Sequence, residues 1–161
     1  VRVVVLADTH VPRFARELPS ALAPALRSAD AIVHAGDVNE AFVLDQLAAH
    51  APTSVAMGNN DGEDVRAWGA QDRLSVRLGG IDVGVIHDSG PRAGRERRLR
   101  RWFPDARVVI FGHSHIPMAY EDEGVMFLNP GSPTWKRRQP RPTYAVLRLG
   151  RVAPSARIVE L

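Results

Sequence analysis

Three short runs of β-branched and aliphatic residues, separated by two stretches of helical spacing, fill the first third of the chain and leave little choice of fold. VRVVVLAD (1–8) has no turn-forming residue before Asp8, as expected of a strand buried on both faces. ADAIVHAGD (29–37) and TSVAMGNND (53–61) repeat the pattern, closing on Gly-Asp and on a Gly-Asn turn. Between the first two, Leu18, Leu22, Ala25 and Leu26 recur at helical spacing, with Ser20 near the start of a helix over about 19–28. NEAFVLDQLAAH (39–50) reads as an amphipathic helix with Asn39 as its expected N-cap. This alternation predicts a parallel sheet with right-handed crossovers.

Beyond residue 70 the rhythm changes. RLSVRLGGIDVGVIHD (73–88) reads as a hairpin turning at Gly79-Gly80, RAGRERRLRRWF (92–103) as a basic helix, and ARVVIFGH (106–113) as another buried strand. Residues 116–132 and 142–161 supply further antiparallel strands. There is no repeat, low-complexity tract or linker, so one α/β domain with two sheets over 1–161 is expected. No apolar run approaches the 18 or so residues of a membrane span, and strand-like sequence from Arg2 gives the expectation of no signal peptide. The chain has no cysteine, which removes disulfides and thiolate metal sites and fits a cytoplasmic location. Net charge is +3, and Lys136 is the only lysine, so the positive field is carried by arginine and persists at any working pH.

Chemistry-bearing residues concentrate where the apolar runs stop: Asp8-Thr9-His10, Gly36-Asp37, Gly58-Asn59-Asn60-Asp61, His87-Asp88 and Gly112-His113-Ser114-His115. In open α/β sheets, ligands bind beyond the carboxyl ends of strands. Five segments therefore bring imidazole, carboxylate and amide donors to one edge, a sulfur-free set suited to manganese, iron or zinc. On extended backbone, residues i and i+2 point to one side roughly 6–7 Å apart, so His113 and His115 could serve two ions about 3.5–4 Å apart. A helical zinc motif would need histidines at i and i+4, which this spacing rejects.

Taken in order, these motifs resemble those of the calcineurin-like metallophosphoesterases, and Asn129-Pro130-Gly131-Ser132 resembles the closing motif of their small bacterial and archaeal phosphodiesterase branch. The resemblance spans residues 8 to about 132. It implies a four-layer α/β/β/α sandwich of two mixed sheets and a dinuclear centre. Asp8, His10 and His115 would hold one divalent ion, Asn59, His87 and His113 the other, and Asp37 would bridge them. The ions would be Mn2+, with Ni2+, Fe2+, Zn2+ and Mg2+ as alternatives. Asp8, Asp37 and a bridging hydroxide would leave a surplus of about one positive charge to attract phosphate, and that hydroxide would attack phosphorus in line. Asn60 and Asp61 are then the candidates for roles in catalysis.

Two departures from the family pattern bear on substrate. Relatives often carry histidine after the metal-binding asparagine, where this chain has Asn60, an amide unable to supply a proton. They often read His-Gly-His where this chain has His87-Asp88-Ser89-Gly90. Substrates with good leaving groups, aryl esters or nucleotide pyrophosphates, are expected.

His34, inside an apolar strand, reads as a packed core histidine, and His50 as the cationic end of a helix. Arg92, Arg95, Arg97, Arg98, Arg100 and Arg101 crowd one helix, a solvated surface or an anion-binding one. WKRRQPRP (135–142) puts Arg137 and Arg138 beside the Asn-Pro-Gly-Ser loop as substrate-phosphate candidates, with Trp135 available to stack on a base. The expected function is a phosphoesterase, a phosphodiesterase before a monoesterase, acting on a small phosphate ester or nucleotide, with self-association allowed. The alternatives are a protein-binding scaffold, as in the retromer subunit of this family, and a nuclease-like enzyme using the arginine surface.

Overall fold

The computed structural model describes residues 1–161. Strands β1 (Arg2–Leu6), β2 (Ala31–His34) and β3 (Thr53–Val55) run parallel, as the alternation predicts. The last hairpin, β9 (Thr143–Arg148) and β10 (Ser155–Glu160), pairs antiparallel with β1, giving the first sheet the order β10-β9-β1-β2-β3. The second sheet has the order β4-β5-β6-β8-β7. It is built from β4 (Arg73–Leu78), β5 (Ile81–Ile86), β6 (Val108–Ile110), β7 (Met118–Asp122) and β8 (Val125–Asn129). Here β5, β6 and β8 are parallel, and hairpin partners β4 and β7 close the two edges.

Alternation along each strand builds the layers. Val3 and Val5 face the second sheet, joining Val83, Val85, Val108, Ile110 and Leu128 in the inter-sheet core. Val4, Leu6 and Ile32 face the other way, against α1 (Ala23–Arg27), α2 (Phe42–Ala48) and α3 (Glu63–Trp68) through Leu26, Leu44, Leu47 and Val65. On the far face of the second sheet, α4 (Arg95–Trp102) and the Phe103 that follows it pack over Val109, Phe111 and Phe127. The result is the expected α/β/β/α sandwich. Gly84 in β5 is a clearance position: a Cβ there would lie 2.4 Å from Phe103 Cγ.

Two expectations about local structure are corrected, and one helix, α3, goes unannounced in the sequence. Asn39 does not cap α2, which begins at Phe42. It sits in the left-handed region (φ 84°) with its amide oxygen toward His10, and Asp64 Oδ2 accepts the Ala41 N–H instead. Helix α3 has only Val65 and Trp68 as large apolar residues, too few to show a period, so its pattern is silent in the sequence. It docks on α2 through the bond from Trp68 Nε1 to Asp45. Finally, the His113–His115 segment is not extended. Strand β6 ends at Ile110, and both histidines have positive φ, 70° and 61°.

Candidate metal centre

Parallel strands within each sheet carry their carboxyl ends to one edge, and the two edges meet. Asp8 follows β1, Asp37 follows β2, Asn59 follows β3, His87 follows β5, and His113 and His115 follow β6. The junction is direct: Asp8 Oδ2 accepts the His113 N–H (3.0 Å), joining the two sheets. Five of the seven candidate ligands, Asp8, His10, Asp37, His113 and His115, occupy left-handed backbone (φ 46–70°). For non-glycine residues that costs roughly 1–2 kcal/mol each, so the surrounding structure must over-determine it. The Asn129–Thr134 loop supplies part of that hold. Ser132 Oγ donates to Asp8 O (2.8 Å), Thr134 Oγ1 to Thr9 O (2.7 Å), and Asn129 Nδ2 to Gly112 O (3.0 Å).

Asp61 braces the same turn from the other side. Its carboxylate accepts three backbone N–H groups, from Asp37 (2.9 Å), Asn39 (2.8 Å) and Gly58 (2.8 Å). Asn60 grips Asp37 itself, through its N–H to Oδ1 and its Nδ2 to Oδ2, both 2.8 Å.

The histidine tautomers follow from their outer partners. His87 Nδ1 faces Ala35 O (2.8 Å), His115 Nδ1 faces Trp135 O (2.7 Å), and His10 Nδ1 faces Asn39 Oδ1 (3.2 Å). Each partner is an acceptor, so in the neutral ring each Nδ1 carries the proton and each Nε2 turns a lone pair inward, the usual arrangement for metal-ligating imidazole. Inside, His10 Nε2 lies 3.4 Å from His115 Nε2, and His113 Nδ1 lies 3.3 Å from His87 Nε2. Asn59 Oδ1 joins the second pair at 2.9 and 3.1 Å. Asp37 Oδ2 stands between the pairs, 3.7 Å from His10 and 3.4 Å from His87. Asp8 Oδ1 is buried with no hydrogen-bond partner, 3.4 Å from His115 Nε2. Facing lone pairs and an orphaned carboxylate oxygen call for positive charge.

Ligand atoms of Asp8, His10 and His115, and of Asp8, Asp37 and His87, form two groups compact enough for a metal ion. The donor set therefore fits divalent cations. The titration behaviour has the same origin. Burial lowers His87, but the Asp37 hydrogen bond and the Asp8 and Asp37 charges outweigh it and raise the pKa to about 8. Burial pushes Asp37 up, and its bonds to His87 and Asn60 more than reverse that, holding it below the usual carboxylate range. Burial dominates at His10, which is lowered.

A cleft of about 480 Å³ opens on Asn59, His87 and His113. Arg137 is exposed and reaches a cleft residue, its guanidinium 3.4 Å from His113 O, whereas Arg138 is exposed and makes no side-chain hydrogen bond. His34 is a core residue as expected, fully buried with Nε2 on Thr9 Oγ1 (3.0 Å). Among these supports, Ser132 is marked in the sequence by the Asn-Pro-Gly-Ser motif, whereas Asn39 and Thr134 carry no sequence signal for the role.

A two-sheet sandwich with a His/Asp/Asn cluster at the carboxyl edge, buried at Asp8, His10, Asp37, His87 and His115 and open to solvent at Asn59 and His113, defines a metallohydrolase-type architecture. The chain belongs to the calcineurin-like phosphoesterase superfamily, whose sequence profile matches residues 1–151. A probable metallophosphoesterase of Methanothermobacter thermautotrophicus is 37% identical over 97% of this chain and 90% of its own. One from Methanocaldococcus jannaschii is 32% identical over 83% of this chain and 68% of its own. Among solved structures, zinc-complexed Vps29 of Entamoeba histolytica superposes with a TM-score of 0.78 at 22% identity, over 99% of both chains. An archaeal phosphodiesterase gives 0.75 at 22%, over 100% of both. At that identity these structures speak to fold.

Proposed function

We propose that this protein is a metal-dependent phosphodiesterase with a two-ion centre, acting on small phosphate esters or nucleotides with good leaving groups. The observation that carries the reading is the pair of inward-facing nitrogen contacts, His10–His115 and His87–His113, with Asp37 Oδ2 between them. We assign Asp8, His10 and His115 to one ion, Asn59, His87 and His113 to the other, and Asp37 to both. When bound, the ions, Mn2+ in our reading, supply Lewis acidity to the phosphoryl oxygens and lower the pKa of water.

The chain's own residues orient and hold. Asn60 keeps the Asp37 carboxylate turned inward, and Asp61 pins the backbone on which Asp37 and Gly58 stand, so both act by positioning. Asn60 cannot protonate a leaving group, which supports activated esters as substrates. The open side of the site at Asn59, His87 and His113 gives a small ester room to enter. No helix is long and apolar enough to cross a membrane, and the absence of cysteine supports a cytoplasmic setting. Likeness to Vps29 supports a second reading, a protein-binding scaffold, but all seven expected donors are present and converge, which favours catalysis.

The test is hydrolysis of bis-p-nitrophenyl phosphate with added Mn2+, Ni2+ or Mg2+, beside Asp37→Ala and His113→Ala. We expect metal-dependent turnover that falls at least about 100-fold in both variants, as removal of a key transition-state stabiliser does. A wild type that binds metal yet turns over with none of the three would favour the scaffold.

A further inference from the structure

Two loops beside the metal centre build a four-tier column. Phe14, from the loop after β1, stacks on Trp135, from the loop after β8, with ring centroids 4.0 Å apart and planes 29° from parallel. Arg13 covers Phe14 at 5.3 Å, and Arg137 lies 4.8 Å from the centroid of Trp135. Base stacking by Trp135, open in the sequence, would have to displace one of these groups. The column is better suited to holding an arginine than a nucleobase.

Its position relative to the candidate ligands is fixed at several points. The Trp135 ring meets His10 and His115 edge-on, at 5.6 and 5.2 Å, and its carbonyl accepts the His115 Nδ1–H. Arg137 Nη1 donates to the His113 carbonyl at 3.4 Å. Arg66, Arg77 and Arg100 are each paired with a carboxylate, whereas Arg137 makes no salt bridge. Its backbone is also left-handed (φ 51°), a conformation disfavoured for an arginine and met at the ligands themselves. The ring contact and the His113 carbonyl hold the guanidinium in place and leave its remaining N–H groups free for an anion. Lys136 turns away, onto Gln139 O (3.0 Å), and Arg138 is exposed with no side-chain hydrogen bond or ion pair.

We propose that Arg137 is a phosphate-binding residue of this site and that the Trp135–Phe14 stack is the device that positions it. The inference rests on the phosphoesterase reading for its substrate, but not for its test. Inorganic phosphate is titrated calorimetrically into the Mn2+-loaded protein, with Mn2+ affinity measured separately and bis-p-nitrophenyl phosphate hydrolysis followed in parallel. Arg137→Ala is expected to weaken phosphate binding about 10-fold with Mn2+ affinity unchanged, and Arg137→Lys to restore part of it, since an ammonium lacks the two-pronged geometry. Trp135→Leu keeps the backbone carbonyl and Arg137. It should weaken phosphate binding several-fold, with no further loss when combined with Arg137→Ala. Arg97→Ala, on the exposed face of α4, is the charge control.

Wild-type phosphate affinity in Arg137→Ala would overturn the proposal. So would an equal loss in Arg138→Ala or Arg97→Ala, which would mark a general field effect, or a matching loss of Mn2+, which would mark a structural role. Arg137-dependent phosphate binding without turnover would sustain this inference and sink the catalytic reading instead.

Discussion

Asp37 can stand between two histidine pairs only because Gly58 has no side chain. A Cβ on Gly58 would lie 2.0 Å from Asp37 N and 2.2 Å from its Oδ1, contacts that no rotamer change relieves, since one is with backbone. Gly58→Ala must therefore push the β2 and β3 loops apart and break the grip of Asp61 on both. The expected result is a loss of about 1–3 kcal/mol in urea unfolding, the usual range for overpacking, together with loss of Mn2+ binding in calorimetry. Wild-type metal affinity in this variant would show that the Asp37 turn tolerates displacement. At this scale the sequence is readable for residue type and order. His and Asp at strand ends advertise themselves, but the acceptors that orient them do not: Ala35 O and Trp135 O are carbonyls, which every residue carries. The left-handed turns at His113 and His115 were equally silent, because histidine composition says nothing about φ.

At the scale of elements, the arginine-rich helix α4 divides into arginines that hold structure and arginines that face solvent. Arg98 donates to Ser89 O (2.8 Å) and Pro91 O, Arg100 pairs with Asp122, and Arg95 lies over the Phe111 ring. Arg92, Arg97 and Arg101 are exposed. The helix is thus no uninterrupted basic face, which weakens the case for a nuclease-like surface. Arg98 is the tie between α4 and the 89–94 loop that follows His87. Removing it with Arg98→Ala should cost about 1–2 kcal/mol, less than the full 1.5–3 of a charged hydrogen bond because the site is partly solvated. Hydrogen exchange should quicken in residues 89–95 and stay unchanged in β1 and β2. Protection equal to the wild type in that loop would show the tie to be incidental. Strands were legible because β-branched runs have few alternatives, and the Gly79-Gly80 hairpin because its turn is local. The attachment of β9 and β10 to β1 was not, since that pairing joins residues more than 100 positions apart. Nor was α3, where six residues cannot display a 3.6-residue period.

For the molecule as a whole, His34 links the core to the site and sets a pH limit on the fold. It is fully buried at the end of β2, between Thr9 Oγ1 at Nε2 and the Gly36 N–H at Nδ1 (3.2 Å). The Gly36 N–H can only donate, so Nδ1 accepts, Nε2 carries the proton, and the ring is neutral. Burial lowers its pKa from 6.5 to about 3. Asp8 and Asp37 pull the other way, and His87 and His10 add to the lowering. With the folded pKa below the unfolded one, the unfolded chain takes up the proton first. Stability is then fully present above about pH 6.5 and declines as pH falls toward 3. At pH 5 the loss would approach about 2 kcal/mol, at roughly 1.4 per pH unit. His10, also lowered by burial, adds to the same slope. His87, raised to about 8, acts only between about 6.5 and 8 and in the opposite sense. The readout that isolates His34 is therefore its own ring nitrogens. In the metal-free protein at pH 5, 15N spectra should show the neutral Nε2–H tautomer at His34. A protonated His34 at that pH would mean that the junction between β2 and the metal-site loops admits water, and that the acid sensitivity of the fold begins elsewhere.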